Sequence, residues 1–470
     1  MDRMERWFQL RANGTTARVE AMAGLTTFLT MAYIIFVQPA VLSGQMFGMQ
    51  TGMDFGAVTV ATCLSAAIAT AIMGLYARYP IALAPGMGEN FFFVLTVMGA
   101  AAAAGFPAPW RVALGVVFIS GLLFFLLYAL GIREMIFDAL SPSLKNSIAA
   151  GIGIFIAFIG LQNAGVIVKS PGTLVTLNTH FGSPDLILFG VGLILTLSLL
   201  AARVRGAILW GILAMTALSV LARLVLPHLP AVASLGAVAE SKLMTRFALS
   251  GRIVSMPPSL APTFLQMDLV HAASLVMWPF ILIFLFMDVF DTVGTLVGVG
   301  EQAGFIRDNK LPRARQAMLA DQAGTLVGAV FGTSTVTSFI ESAAGVEAGG
   351  RTGLTALTTA VCFLLALFLA PLIAMVGSYP PITAPALVAV GTMMARNVGK
   401  IDWSDFSEVA PAFLIMIGIP LCYSISDGLA LGFIAYPLIK LFSGRGREAP
   451  LAMYVIAAAL LGYFAMRAVV

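Results

Sequence analysis

Apolar runs of about twenty residues recur along almost the whole of this chain, and two of them are broken by polar stretches in matching places. The first break is Pro80-IALAPGMGEN-Phe91 and the second is Gly332-TSTVTSFIESAAGVEAGG. Each follows an apolar segment that ends early, and each restarts as a helix carrying a carboxylate, Glu89 or Glu341. Polar backbone at membrane depth is tolerated only where it is buried in protein or lines a cavity. A matched pair of interrupted segments, one per half of the chain, points to the central binding site of a carrier.

Composition fixes the setting. The 470 residues are 60% apolar and 10% charged, with a mean hydropathy of +0.97, whereas a soluble domain has about 25% charged residues. The runs are too long for barrel strands of roughly ten residues, so the expected class is an all-α polytopic membrane protein. The opening MDRMERWFQLRANGTTARVE is polar and basic with no cleavage site, which predicts a cytoplasmic amphipathic segment over 1–18. Cys63, Cys362 and Cys422 lie inside apolar spans, and His180, His228 and His271 are scattered near outer loops. Neither a disulfide, a metal site nor a cofactor is expected. Nothing in the charge pattern points to nucleic acid.

Fourteen spans are read near 19–43, 55–76, 81–100, 108–132, 145–168, 184–202, 206–226, 271–299, 314–330, 334–349, 353–377, 383–398, 409–425 and 428–444. With the N-terminus inside, 19 of the 26 Lys and Arg face the inner side, six face the outer side and Arg467 is left over. That asymmetry follows the positive-inside rule and predicts a multi-pass protein of the cytoplasmic (inner) membrane. Segment 451–466, within a basic and hydrophobic tail 445–470, is apolar enough to cross; the sequence leaves open whether it spans or lies against the bundle.

The two halves echo each other. Ile159-GLQNAGVI lies against Thr392-MMARNVGKI, and Arg203-VRGAILWG against Ser424-ISDGLALGF. Seven spans (19–226) precede a long outer segment, 227–270, and seven (271–444) follow it. An odd number per half requires the halves to be inverted relative to each other, which is the plan of many secondary carriers. The breaks fall in spans 3 and 10, the third of each half.

Pro80 and Pro85 favour an extended chain over 80–86, with a helix from about Gly86. The run Thr333-Ser334-Thr335-Val336-Thr337 is likewise better extended than helical, with a helix expected from about Ser338 and Glu341 in its first turn. Half-helix N-termini meeting at mid-membrane offer free N–H groups and partial positive charge. Span 8 adds Asp288 and Asp291, with Thr292 and Thr295 extending the stripe. An uncompensated Asp at the bilayer centre costs about 2.5–3.5 kcal/mol on insertion scales, so two on one span imply partners or a polar cavity and suit reversible protonation. Glu341, flanked by Ile340 and Ser342, and Asp291 are the leading candidates for ligand contact. Asn90 would bond a ligand or tie the half-helices together, and Glu89 would face the site or pair elsewhere. Thr30 heads a polar stripe with Thr26, Thr27 and Tyr33 that would line the cavity or bond its own helix. One ring of Phe91, Phe92 and Phe93 could stack on a flat ligand, although such rings more often pack. Glu301, Asp321 and Glu347 read as solvated or loop-pairing groups near the inner surface. Gly399-KIDWSDFSEVA-Pro411 reads as an inner amphipathic helix.

These motifs resemble a known family. Ala23-GLTTFLTMAYIIFVQPA, Pro80-IALAPGMGENFFF, Gly151-IGIFIAFIGLQNAG, Met287-DVFDTVGTLVGV and Thr337-SFIESAAGVEAGGRTGLTA are similar to the purine (guanine, hypoxanthine, adenine) permease branch of the nucleobase–cation symporters, relatives of the xanthine/uracil permeases. The resemblance covers roughly residues 5–465. It implies two inverted seven-span repeats, with a core domain from spans 1–4 and 8–11 (19–132 and 271–377) and a gate domain from spans 5–7 and 12–14 (143–226 and 383–444). It implies import of a purine base coupled to protons, with sodium left open by the residues, and a homodimer in the bilayer. It places base-binding carboxylates at Asp291 and Glu341 and site-lining backbone at Met87 and Gly88. Asp291, Glu341, Asp288 and Glu89 are then the proton-coupling candidates. One departure is clear: where the branch reads Gly-Leu-Asn-Ala-Phe-Phe, this chain has Gly88-Glu-Asn-Phe-Phe, which adds a carboxylate at Glu89 and a bulkier Phe91.

The alternatives are a uracil/xanthine-type permease, an anion transporter of the same fold, an intramembrane aspartyl protease and an uncoupled channel. An anion site would place Arg or Lys at the half-helix starts, and the breaks carry carboxylates instead. A protease would need its aspartates on separate helices, whereas Asp288 and Asp291 share one. The expectation is a transporter, not an enzyme.

Overall fold

The computed structural model describes residues 3–129, 141–228, 236–305 and 311–469. The last residues of the span read over 108–132, part of segment 227–270, and Arg133, Arg307 and Lys310 lie outside the described residues. The chain is 71% helical. Its first group of helices is α1 (Ala17–Leu42), α2 (Phe55–Ala77), α3 (Met87–Ala103), α4 (Pro109–Ala129), α5 (Pro142–Asn163), α6 (Pro184–Ala201) and α7 (Ala207–His228). The second is α8 (Trp278–Gln302), α9 (Ala314–Phe331), α10 (Ser342–Glu347), α11 (Gly353–Gly377), α12 (Pro380–Ala395), α13 (Phe406–Leu421) and α14 (Ile425–Phe442), followed by α15 (Leu451–Val469). Among the described residues, eight helices are long and apolar enough to cross a membrane: α1, α2, α4 to α8, and α11.

Local chemistry sets many helix starts. The side chains of Thr16, Asp54, Ser141, Thr352 and Ser424 each accept a backbone N–H of the first turn they precede, which satisfies donors that the helix itself leaves unpaired. Where the structure departs from the spans read above, local bonding explains it. Span 145–168 ends at Asn163 because Ile167–Ser170 (β2) turns back through Pro171 and Gly172 to pair with Leu174–Leu177 (β3). The helix expected from 271 starts at Trp278; a separate turn, Leu269–Ala272, is capped by Asp268. His271 is paired, not isolated, since its Nδ1 lies 2.6 Å from Asp268 Oδ2.

The amphipathic helix read over 399–411 is absent as a separate element. Asp402 accepts Ser404 N–H, a local bond that competes with helix, and Asp405 accepts Ser407 N–H as the cap from which α13 begins at Phe406. Asp405 joins an ionic cluster. Lys440 Nζ sits 3.0 Å from both Glu408 and Glu448 and 3.6 Å from Asp405, and Arg445 reaches Asp405 at 2.8 Å and Glu448 at 2.7 Å. The cluster ties the start of α13 to the end of α14 and to the turn before α15. Segment 451–466 forms a helix packed on α14.

The helices pack in two sets. In one, α9 lies on α2 and α4, and α11 on α1 and α2. In the other, α5 lies along α12 and α13, α13 along α14, and α6 on α7 and α12. Glycines permit close crossing of α5 and α12: a β-carbon on Gly153 of α5 would sit 2.8 Å from Gly391 O, and one on Gly391 of α12 would sit 2.4 Å from Gly153 O. Tyr79, Leu83, Phe124, Leu285, Met318 and Val336 share one buried apolar cluster, which encloses both breaks between α2, α4, α8 and α9.

Candidate functional site

The two breaks are strands, and they pair with each other. Leu83–Pro85 (β1) runs antiparallel to Val336–Ser338 (β4), with Leu83 opposite Ser338, Ala84 opposite Thr337 and Pro85 opposite Val336. Gly86 N–H donates to Thr335 O at 3.0 Å, and Phe339 N–H donates to Ala82 O at 2.9 Å. Each strand is also held from behind by one threonine. Thr70 of α2 accepts Leu83 N–H at 2.9 Å and donates to Leu83 O at 3.0 Å. Thr325 of α9 does the same for Val336, both bonds being 3.1 Å. Inside a membrane every backbone polar group needs such a partner, so these bonds are the condition for breaking a helix there.

Gln38 of α1 fastens the breaks from a third side. Its Nε2 donates to Thr333 and Ser334 hydroxyls, both at 2.9 Å, and its Oε1 accepts Asn90 Nδ2 at 2.6 Å. Asn90 is fully buried, so its amide links α3 to the second break through Gln38 and does not face open space. Ser342 is buried too, its hydroxyl accepting Ala82 N–H at 3.0 Å. Met87 and Thr295 are each 6% exposed.

Two carboxylates face outward from this frame. Asp291 of α8 is exposed and accepts Thr337 Oγ1–H at 3.2 Å. Glu341 is half-buried in the turn before α10, which starts at Ser342 because Ser338 and Phe339 are committed to the strand pairing. Tyr33 OH donates to Glu341 Oε1 at 2.7 Å, and Ile340 beside it is 46% exposed. Thr30 Oγ1 has Thr27 O at 2.7 Å as its nearest acceptor and Glu341 O at 3.3 Å, so it chiefly bonds its own helix. Glu89 is 3% exposed and folds back over Gly86, where a β-carbon would lie 2.2 Å from Glu89 Oε2 and 3.3 Å from Thr337 Oγ1. Gly88 faces the other helix set; its β-carbon would touch Ile152 of α5 at 3.1 Å. Phe91, Phe92 and Phe93 are all fully buried, and Phe92 packs edge-on against Phe284.

The structure therefore sets Asp291 and Glu341 on an open face, each held from behind by a buried hydroxyl, Thr337 for Asp291 and Tyr33 for Glu341. Asp288, Glu89, Asn90 and Ser342 stand in the buried frame behind it. Asp321 corrects an expectation: read as a solvated or loop-pairing group, it is 0% exposed and accepts Ser338 Oγ–H at 2.8 Å. Glu347 does pair, accepting Gln302 Nε2 at 2.5 Å. Sequence reasoning passed over Gln38, Thr70, Thr325 and Gln322. The available signal was their position as polar residues on otherwise apolar helix faces.

Paired helix breaks carrying acidic groups, set in a bundle of apolar helices, define a multi-pass membrane permease. Residues 18–431 match the model of the Permease family, the xanthine/uracil permease type, and the chain belongs to that family of nucleobase permeases. A guanine/hypoxanthine permease of Bacillus subtilis is 44% identical over 98% of this chain and 99% of its own length. An adenine permease of Escherichia coli is 39% identical over 97% and 94%. These relatives are transporters, not enzymes. Among solved structures, the transmembrane domain of the cyanobacterial bicarbonate transporter BicA superposes with a TM-score of 0.59 at 15% identity, covering 89% of this chain and 97% of that one. SLC26A9 superposes at 0.61 and 10% identity, covering 94% and 68%. These two likenesses concern the fold alone.

Proposed function

We propose that this protein is a proton-coupled symporter that imports purine nucleobases such as guanine, hypoxanthine or adenine across the cytoplasmic membrane by alternating access. The observation that carries the reading is the placement of Asp291 and Glu341 on one open face beside the paired strands. A purine is flat and bears N–H donors, and carboxylates are acceptors for such donors. Tyr33 occupies one oxygen of Glu341 and leaves the other for the base. Ile340 offers apolar surface beside it, and in this reading the backbone at Met87 and Gly88 lines the site where the two helix sets meet. The acidic set Asp288, Asp291, Glu89 and Glu341 supplies groups that can carry a proton. The names of the relatives, guanine/hypoxanthine and adenine permeases, agree with this cargo.

Other features support the mechanism. The two helix sets suit a core moving against a gate, with Gly88 and Ile152 where they meet. Thr70 and Thr325, each clamping one strand through both backbone groups, suit two inverted seven-span repeats. The excess of Lys and Arg on one side suits a cytoplasmic N-terminus. Anion transport of the bicarbonate type fits poorly, because acidic groups, not cations, stand at the breaks.

The test is uptake of labelled guanine, hypoxanthine and adenine into vesicles containing the purified protein, with and without an imposed proton gradient. Gradient-dependent accumulation is expected, lost in Glu341→Gln and Asp291→Asn. Uptake indifferent to the gradient, or none of any base, would overturn the reading.

A further inference from the structure

Behind the open face lies a second acidic pair. Asp288 of α8 and Asp321 of α9 are 1% and 0% exposed, and one side-chain amide joins them. Gln322 Nε2 donates to Asp288 Oδ2 at 2.9 Å and to Asp321 Oδ2 at 3.1 Å. Ser338 of β4 satisfies Asp321 Oδ1, and Thr325 approaches Asp288 Oδ2 at 3.5 Å. What points to a ligand is the remainder. Asp288 Oδ1 and Gln322 Oε1 are both buried without a hydrogen-bond partner. Buried polar atoms are normally paired, so this pocket lacks something electropositive.

The surroundings supply little compensation. Neither α8 nor α2 carries a Lys or Arg. On α9 there is Arg315, six residues from Asp321 or about 9 Å along the axis, and it donates to Ala129 O. On α4 there is Arg111, stacked over Trp110 near that helix's opposite end. The other titratable groups on elements packed here are Asp291 and Glu301 on α8, Cys63 and Tyr76 on α2, Tyr128 on α4, Glu89 on α3 and Glu347 on α10. All are acids. Two ionised carboxylates in such a place are costly, and one shared proton relieves most of that cost. Gln322 Nε2 already occupies the bridging position between the carboxylates that a metal ion would need, which favours a proton over sodium.

We propose that Asp288 and Asp321, joined by Gln322, form a one-proton site distinct from the substrate-facing carboxylates, and that this proton is the ion coupled to transport. The inference rests on the reading of the chain as a proton-driven purine carrier. The link to the base is a single strand: Thr337 bonds Asp291 on the open side, and the next residue, Ser338, bonds Asp321 on the closed side. A base that draws Asp291 away from Thr337 shifts β4, and with it the hydroxyl that satisfies Asp321.

The experiment compares wild type, Asp321→Asn and Ser338→Ala in vesicles. In Asp321→Asn, purine affinity and counterflow exchange are expected to persist while gradient-driven accumulation is lost. Accumulation retained in that variant would overturn the proposal, as would purine binding lost together with accumulation. Ser338→Ala, a milder change, removes a donor to the ionised pair, so the pH of half-maximal accumulation should rise at unchanged purine affinity. An unmoved pH profile would overturn the proposal even if Asp321→Asn failed to fold, and so would sodium-driven accumulation by the wild type. Wild type that accumulates no purine would instead overturn the transport reading itself.

Discussion

The phenol of Tyr33 donates a 2.7 Å hydrogen bond to Oε1 of Glu341, joining residues 308 positions apart in the chain. It fixes the orientation of a carboxylate in a turn that has no other side-chain anchor for it. A hydrogen bond to a charged group contributes about 1.5–3 kcal/mol, so Tyr33→Phe should weaken purine binding by about tenfold or more. Titration of purified protein with each base measures it; unchanged affinity would show that Glu341 is held without the phenol.

The two threonine clamps give a matched pair of tests. Thr70→Val and Thr325→Val keep the side-chain shape and orphan one buried N–H and one buried C=O each. Losing a partner for a buried polar group costs about 1–3 kcal/mol. Both variants should lower the thermal unfolding midpoint in detergent, by similar amounts. A large shift in one and none in the other would show that the two breaks are not held alike.

Gln38 binds three side chains at once, Asn90, Thr333 and Ser334. Gln38→Leu fills the space and leaves that set short of partners in a dry interior. A loss of about 2–4 kcal/mol is expected in a denaturant titration, larger than for either threonine variant. Stability equal to wild type would mean the three groups find other partners.

Between α14 and α15, hydrogen bonds from Arg445 and then Lys440 hold the Glu448 carboxyl down at about 2. A carboxylate depressed in the folded state contributes stability that is complete above its unfolded value, about 4.3, and is lost as pH falls toward about 2. Unfolding midpoints of wild type should therefore drop over that acidic range, and Glu448→Gln should flatten the drop. Parallel curves for the two proteins would refute a stabilising role for Glu448.

Much of the fold was legible in the sequence. Each span read from hydropathy has a helical counterpart, and the two breaks were visible because Pro80, Pro85 and the run from Thr333 to Thr337 resist helix whatever surrounds them. Glu341 stood out because a carboxylate in an apolar run demands a reason. Asp321 did not, because a charge six residues from Arg315 looks the same on the page whether it faces water or protein. Its buried carboxylate is met by Ser338, seventeen positions away, and by the Gln322 amide that also reaches Asp288 in another helix.

By itself the sequence determined a helical membrane protein, interrupted twice and acidic at both interruptions. Hydropathy and backbone preference are local quantities, and membrane insertion reads them directly. Only the tertiary structure decided that the interruptions pair with each other, that Asn90 turns inward to Gln38, and that Asp288 and Asp321 share one amide. Those outcomes are set by which helix faces meet, and a polar side chain in a low-dielectric interior takes whichever partner that meeting supplies.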